Sequence, residues 1–120
     1  MTDRRFGRQR RVLAREQFDA VLRRPHVRMA SGPFRLVARR NRAGFARLGL
    51  VVAKRVIRHS VDRNRVKRCI RETFRTAMND LPAVDVVIRL ATPVSDIRET
   101  LPQEPLNALW LRLGAWGTSP

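Results

Sequence analysis

Arg63, Asn64, Arg65, Lys67, Arg68 and Arg71 are the densest run of chemistry-bearing side chains in this 120-residue chain, and their chemistry is electrostatic. On a helix, Asn64, Lys67, Arg68 and Arg71 fall at i, i+3, i+4 and i+7 and share one face, while Val66, Ile70, Phe74 and Ala77 share the opposite one. One face can pack against a core and the other can hold phosphate. Arg63 and Arg75 flank the polar face, and only Asp62 and Glu72 interrupt it. Lys54 and Arg55 add two cations shortly before the helix begins.

The distribution of charge along the chain points the same way. The formal net charge is +16, but residues 1–77 carry 23 Lys and Arg against 5 acids, whereas residues 78–120 carry 3 against 5. Of the 26 cations 24 are Arg, whose planar fork suits phosphate oxygens and base stacking better than an ammonium does. A small domain needs a net charge of only about 2 to 8 for solubility, so the excess indicates a polyanionic partner. A membrane surface would favour a Lys-rich amphipathic helix with Trp or Leu opposite, and neither Trp lies near the basic block. Enzymatic constellations are missing from the pattern. The ten acids are scattered without a two-metal spacing, which counts against a metal-dependent nuclease acting by itself, while a general RNA-binding module such as a ribosomal protein or assembly factor would account for the charge. His26 and His59 have no partners at catalytic or zinc-ligand spacing, and Cys69 reads as a small buried hydrophobe. The expected sets of catalytic and metal-binding residues are therefore empty.

Length and composition suit one compact domain with a modest core, at 43% hydrophobic residues. The lone cysteine excludes an internal disulfide, and no apolar run reaches the ~18 residues of a membrane span. The basic N-terminus has no apolar segment after it of the kind a secretory signal requires, so a reducing cytoplasm is the expected location. Residues 1–12, with Arg4, Arg5, Arg8, Arg10 and Arg11, read as a flexible basic arm, residues 13–114 as the domain, and residues 115–120 as a tail.

The elements that must position the basic helix follow in the order helix, strands, helix, strand, helix. Glu16–Arg23 is a short helix with Phe18, Val21 and Leu22 on one face, poorly capped at its start and ended by Pro25. Phe34–Arg39 alternates as a strand, with Phe34, Leu36 and Ala38 toward a core and Arg35, Val37 and Arg39 on a basic face. Leu48–Lys54 is the next strand, its small residues Gly49, Val51 and Ala53 permitting close approach of a ligand. The basic helix runs from about Asp62, a plausible cap, to Met78. Asp85–Leu90 is the last strand; Leu106, Leu109, Trp110 and Leu113 form the final helix, with Pro105 near its first turn and Gly114 past its end. The fold class is α+β, a sandwich. Phe18 fits either a core or a cleft wall.

The stretch Leu50-Val51-Val52-Ala53-Lys54-Arg55, followed after eight residues by Asn64-Arg65-Val66-Lys67-Arg68-Cys69-Ile70-Arg71-Glu72, resembles the signature region of the protein subunit of bacterial ribonuclease P. The resemblance extends from about Leu13 to Leu113 and takes in Gln17-Phe18, Gly49-Leu50, Leu81-Pro82-Ala83-Val84-Asp85 and Leu109-Trp110. It implies a domain of the ribosomal protein S5 domain 2-like class, with the basic helix in a left-handed crossover between parallel strands, against the usual handedness. It further implies an endonuclease in which a catalytic RNA removes the 5′ leader of precursor tRNA, using Mg²⁺ held chiefly by that RNA. By the resemblance, Lys54, Arg55, Arg63, Asn64, Arg65, Lys67, Arg68 and Arg71 contact the RNA subunit. Phe18 and Leu22 from the first helix, with Arg35, Val37 and Arg39 from the sheet, line a cleft for the single-stranded leader. Leu22 and Val37 stand where some relatives carry aromatics, which shifts leader affinity from stacking toward charge.

Overall fold

The computed structural model describes residues 11–94 and 101–118. The elements are α1 (Arg15–Arg23), β1 (Val27–Ser31), β2 (Phe34–Arg40), β3 (Arg47–Val51), α2 (Ser60–Ala77), a short 3₁₀ turn (Met78–Asp80), β4 (Val84–Leu90) and α3 (Gln103–Gly117). The four strands form one sheet in the order β1-β2-β4-β3. Its β1–β2 and β2–β4 pairs are antiparallel, and β3 runs parallel to β4, so α2 is the crossover joining two neighbouring parallel strands.

Alternation along the strands separates two faces. Phe34, Leu36 and Ala38 of β2, Leu48 of β3, and Val84, Val86, Ile88 and Leu90 of β4 are buried on one of them. There they meet Val66, Ile70 and Phe74 of α2 and Leu106, Leu109 and Leu113 of α3 in a single apolar cluster. α2 buries the stripe its periodicity demands and leaves Asn64, Arg65, Arg68 and Arg71 exposed. The two covering helices are locked by Trp110, whose Nε1–H donates to Thr73 Oγ1 at 2.9 Å while the Thr73 hydroxyl donates to Ile70 O at 3.1 Å. Phe74 meets the Trp110 ring edge-on at 5.5 Å between centroids, a geometry favoured by the ring quadrupoles. Cys69 is buried beside them, and burial pushes its thiol pKa up.

α1 crosses the opposite face. Val21 is fully buried there, and Val87 of β4 is the apolar residue buried on that side of the sheet. The start of α1 has no side-chain acceptor at Ala14; instead Gln17 Oε1 reaches back to accept the Ala14 N–H at 2.8 Å, half of a capping box.

Several details differ from the sequence expectations. β1 adds a strand, built from Val27 and Met29 alternating with Arg28 and Ala30, and it returns into β2 through a turn at Gly32, whose φ of +54° favours glycine. β3 ends at Val51 rather than Lys54, because residues 53–57 wind into a turn in which Ala53 O accepts the N–H groups of Val56 and Ile57. Asp62 does not cap α2: His59 is the N-cap residue, and Asp62 lies inside the first turn, buried, where its charge complements the helix dipole. Gly114 does not end α3. The helix continues through Gly117, so Ala115, Trp116 and Gly117 belong to the domain rather than a tail, with Gly117 set close against Pro82. At the other boundary, Arg11 and Val12 also belong to the sheet, since Leu48 N–H donates to Arg11 O, Leu13 N–H donates to Leu48 O, and Val12 bridges Leu48. The remainder of the expected arm, residues 1–10, lies outside the described residues.

Candidate RNA-binding surfaces

Strand register fixes which side chains stand together on the α1 face. Ala30, Arg35, Arg89 and Val51 form one row across β1, β2, β4 and β3. Arg28, Val37, Val87 and Gly49 form the next, and Arg39, Asp85 and Arg47 the third. α1 covers the second and third rows unevenly. Phe18 packs over Gly49 so closely that a Cβ there would lie 2.7 Å from its Cδ2, so the smooth patch expected to receive a ligand receives the α1 aromatic instead. Phe18 is half-buried and lines a shallow open hollow with Leu13, Arg15 and Asp19. Leu22, 48% exposed, continues that side of the helix toward solvent.

In the third row, Arg47 binds Asp85 bidentately, with Nε–Oδ1 at 2.7 Å and an Nη–Oδ2 bond at 3.0 Å. Asn41 Nδ2 adds a bond to Asp85 Oδ1 at 2.8 Å. This buried acid is fully engaged and leaves nothing to neutralise other arginines. Arg39 is half-buried and donates to Arg24 O at 2.9 Å, pinning the end of α1 to the sheet, so its position in the cleft is tied to a bracing role.

The first row is different. Arg89 is the one exposed residue of β4, in a central strand otherwise buried throughout. Its cross-strand partner is Arg35, a like-charge pair that costs stability unless an anion lies over it. Neither has an ion-pair partner among the described residues; Arg35 donates instead to Gly32 O and Phe34 O at 3.0 and 2.9 Å. Arg28 and Arg89 extend the expected cleft set of Phe18, Leu22, Arg35, Val37 and Arg39. Arg28 gives no clear signal in the sequence, because β1 has a weak pattern, while Arg89 announces itself as the single charge in Val-Val-Ile-Arg-Leu.

The motif helix begins at the same end of the sheet, because the connection to α2 leaves from Val51. Buried Val52 and Ile57 anchor that connection and turn Lys54 and Arg55 outward. Arg63 donates to Ile57 O at 3.1 Å and Arg58 O at 2.8 Å, closing the loop onto α2, so part of its donor capacity is structural. Lys67 is half-buried at the side of the helix. Asn64, Arg65, Arg68 and Arg71 are exposed, and none of these three arginines has an ion-pair partner among the described residues; the Glu72 carboxylate pairs with Arg75 at 3.0 Å. Among the described residues no three His, Cys, Asp or Glu side chains converge as metal ligands, and no helix is long and apolar enough to cross a membrane.

A small α+β domain with two arginine surfaces that lack ion-pair partners among the described residues and meet at one end has the electrostatic footprint of a nucleic-acid-binding domain. Known proteins make the class specific. The family described as Ribonuclease P matches residues 6–114. The Ribonuclease P protein component of Halorhodospira halophila is 44% identical over 108 residues, covering 90% of this chain and 88% of that one. That of Escherichia coli K12 is 37% identical over 107 residues, with 89% of each chain covered. Among solved structures, the Staphylococcus aureus RNase P protein superposes with a TM-score of 0.70 at 21% identity, covering 90% of this chain and 95% of that one, and the Thermotoga maritima protein with 0.62 at 23%, covering 89% and 94%. The last two show the shared fold. The chain belongs to the ribonuclease P protein family, whose members aid a catalytic RNA in tRNA 5′ processing.

Proposed function

We propose that this protein divides its work between two surfaces, holding the catalytic RNA subunit on the exposed side of α2 and the single-stranded leader of precursor tRNA on the open row of the α1 face. The observation that carries the reading is the Arg35–Arg89 row, which has no ion-pair partner among the described residues and opens beside Lys54, Arg55 and the start of α2. A chain leaving the RNA active site can cross one surface while the folded RNA engages the other. Asn64, Arg65, Lys67, Arg68 and Arg71 pair with phosphates of a helix whose deep major groove side chains do not read. Phe18 offers one stacking ring, and Arg35, Arg89 and Arg28 supply the charge that a second aromatic would otherwise share. The Mg²⁺ ions needed for cleavage sit chiefly on the RNA, and the protein's part is to bind, screen and align. Such work belongs in the cytoplasm, where precursor tRNA is made.

The test is reconstitution. A bacterial ribonuclease P RNA and a precursor tRNA are combined at low Mg²⁺ with and without the purified protein. Cleavage at the mature 5′ end is expected to require both macromolecules, because positive charge replaces part of the screening that divalent ions supply. Hydrolysis by protein free of RNA, or no acceleration of the RNA, would overturn the reading.

A further inference from the structure

The end of the sheet farthest from the start of α2 carries a second set of arginines that the two surfaces above leave unused. Arg24 closes α1, Arg40 ends β2 and Arg42 lies in the β2–β3 loop; all three are exposed and none is ion-paired among the described residues. Their neighbouring acids do not neutralise them, since Asp85 is held by Arg47 and Asp80 is exposed with no ion pair among the described residues. Two of the groups here are held in place, unlike ordinary surface arginines. The Arg40 guanidinium lies 4.3 Å from the centroid of the Trp116 ring, a cation–π contact that holds it in place on an otherwise exposed residue. The Arg39 guanidinium is fixed by Arg24 O.

His26 supplies the pointer to a ligand. The Arg40 backbone N–H donates to His26 Nδ1 at 3.0 Å. Nε2 stands 3.2 Å from an Nη of Arg39, which can only donate. Each ring nitrogen of His26 thus faces an N–H group and a neutral imidazole accepts at only one of them; in the tautomer that serves the Arg40 backbone, the ring hydrogen sits on Nε2. In that tautomer two donors lie side by side, the Arg39 Nη giving one hydrogen to Arg24 O, and an anionic oxygen seated beside the pair would accept from both.

We propose that Arg24, His26, Arg39, Arg40 and Arg42 form a second docking surface for phosphates of the catalytic RNA, an inference that rests on the function proposed above. The partner follows from distance. α2 has 18 residues and spans about 27 Å at 1.5 Å per residue, and this surface sits beyond its C-terminal end, where Arg40 pairs with Val84. A large folded RNA that already engages the N-terminal half of α2 can reach both ends at once. The leader cleft opens at the other end of the sheet.

The test measures the salt dependence of binding between the protein and a bacterial ribonuclease P RNA, without tRNA, for wild type and Arg40→Gln/Arg42→Gln. The double variant is expected to bind more weakly, with a log–log salt slope shallower by about 2. His26→Asn supplies a second reading, because its side-chain oxygen can still accept the Arg40 N–H while the Nε2 donor is gone. It should melt like wild type and bind the RNA more weakly. Unchanged affinity and slope for a folded double variant, against a wild type that binds the RNA, overturns this surface and leaves the proposed function standing. A loss confined to precursor tRNA binding by the assembled holoenzyme also overturns it, by assigning the surface to substrate. Failure of wild type to bind the RNA at all would instead remove the proposed function beneath it.

Discussion

On β4, Ile88 is fully buried against the apolar cluster under α2 and α3, while Arg89, the next residue, is exposed on the other face beside Arg35. Both faces of the sheet are built by the same four strands, but they are covered differently. Two helices of 18 and 15 residues close the core face, whereas the 9-residue α1 covers only part of the other. The closed face specifies the fold through burial. The partly open face bears a like-charge pair that the fold tolerates and that a polyanion would relieve. One residue of strand register thus separates the closed apolar face from the open cationic one.

The sharpest way to break this contrast is to truncate adjacent residues on opposite faces. Ile88→Ala should cost about 2–5 kcal/mol in urea denaturation, because it opens a cavity in a packed cluster. Arg89→Ala should change stability by less than about 0.5 kcal/mol or raise it slightly. A large loss from Arg89→Ala would show that the open face also holds the fold together.

Gly49→Ala probes the border between the two regimes. Its Cβ would meet Phe18 Cδ2 at 2.7 Å and Leu13 Cδ1 at 3.1 Å, so the α1 aromatic must move. The expected cost is about 1–3 kcal/mol of stability, with reduced preference of the holoenzyme for precursor over mature tRNA and unchanged affinity for the RNA subunit. An unchanged precursor preference, despite the shift, would remove Phe18 from the leader cleft.

The smallest effect concerns Cys69. Burial raises its thiol pKa, so the folded state holds the proton more tightly than the unfolded chain does. Its contribution is complete below the unfolded thiol value of about 8.5 and is lost as pH rises toward the folded value. Denaturation midpoints should fall between about pH 8 and 10 more in wild type than in Cys69→Ala. Parallel curves would show that the thiol titrates alike in both states.

The legibility of the sequence follows the same division. The core face could be read because periodicity survives wherever burial is complete: Val66, Ile70 and Phe74 on α2, and Phe34, Leu36 and Ala38 on β2. The open face was legible only in part. Arg35, Val37 and Arg39 followed from alternation, but that Arg35 stands beside Arg89 depends on register, which is a long-range property of β2 and β4. β1 leaves only a weak signal in the sequence, because its edge position keeps it half-buried. Gly49 suggested room for a ligand, and only the packing of α1 showed which group fills it. Gly114 resembled a helix stop, yet it marks close approach of α3 to Asp80 O, 3.3 Å from where a Cβ would be.

The central claim, that the α1 face serves the leader and the α2 face serves the catalytic RNA, is tested most directly by a crossed comparison of Arg35→Gln/Arg89→Gln with Arg65→Gln/Arg68→Gln. For each protein, affinity for the RNA subunit is measured alone, and precursor and mature tRNA affinities are measured with the holoenzyme assembled at saturating protein. The sheet pair should lose precursor preference while binding the RNA subunit as wild type does. The helix pair should bind the RNA subunit with a salt slope shallower by about 2 and keep its precursor preference once assembled. Two variants that alter the same quantity, in the same proportion, would contradict the division of the molecule into a leader face and an RNA face.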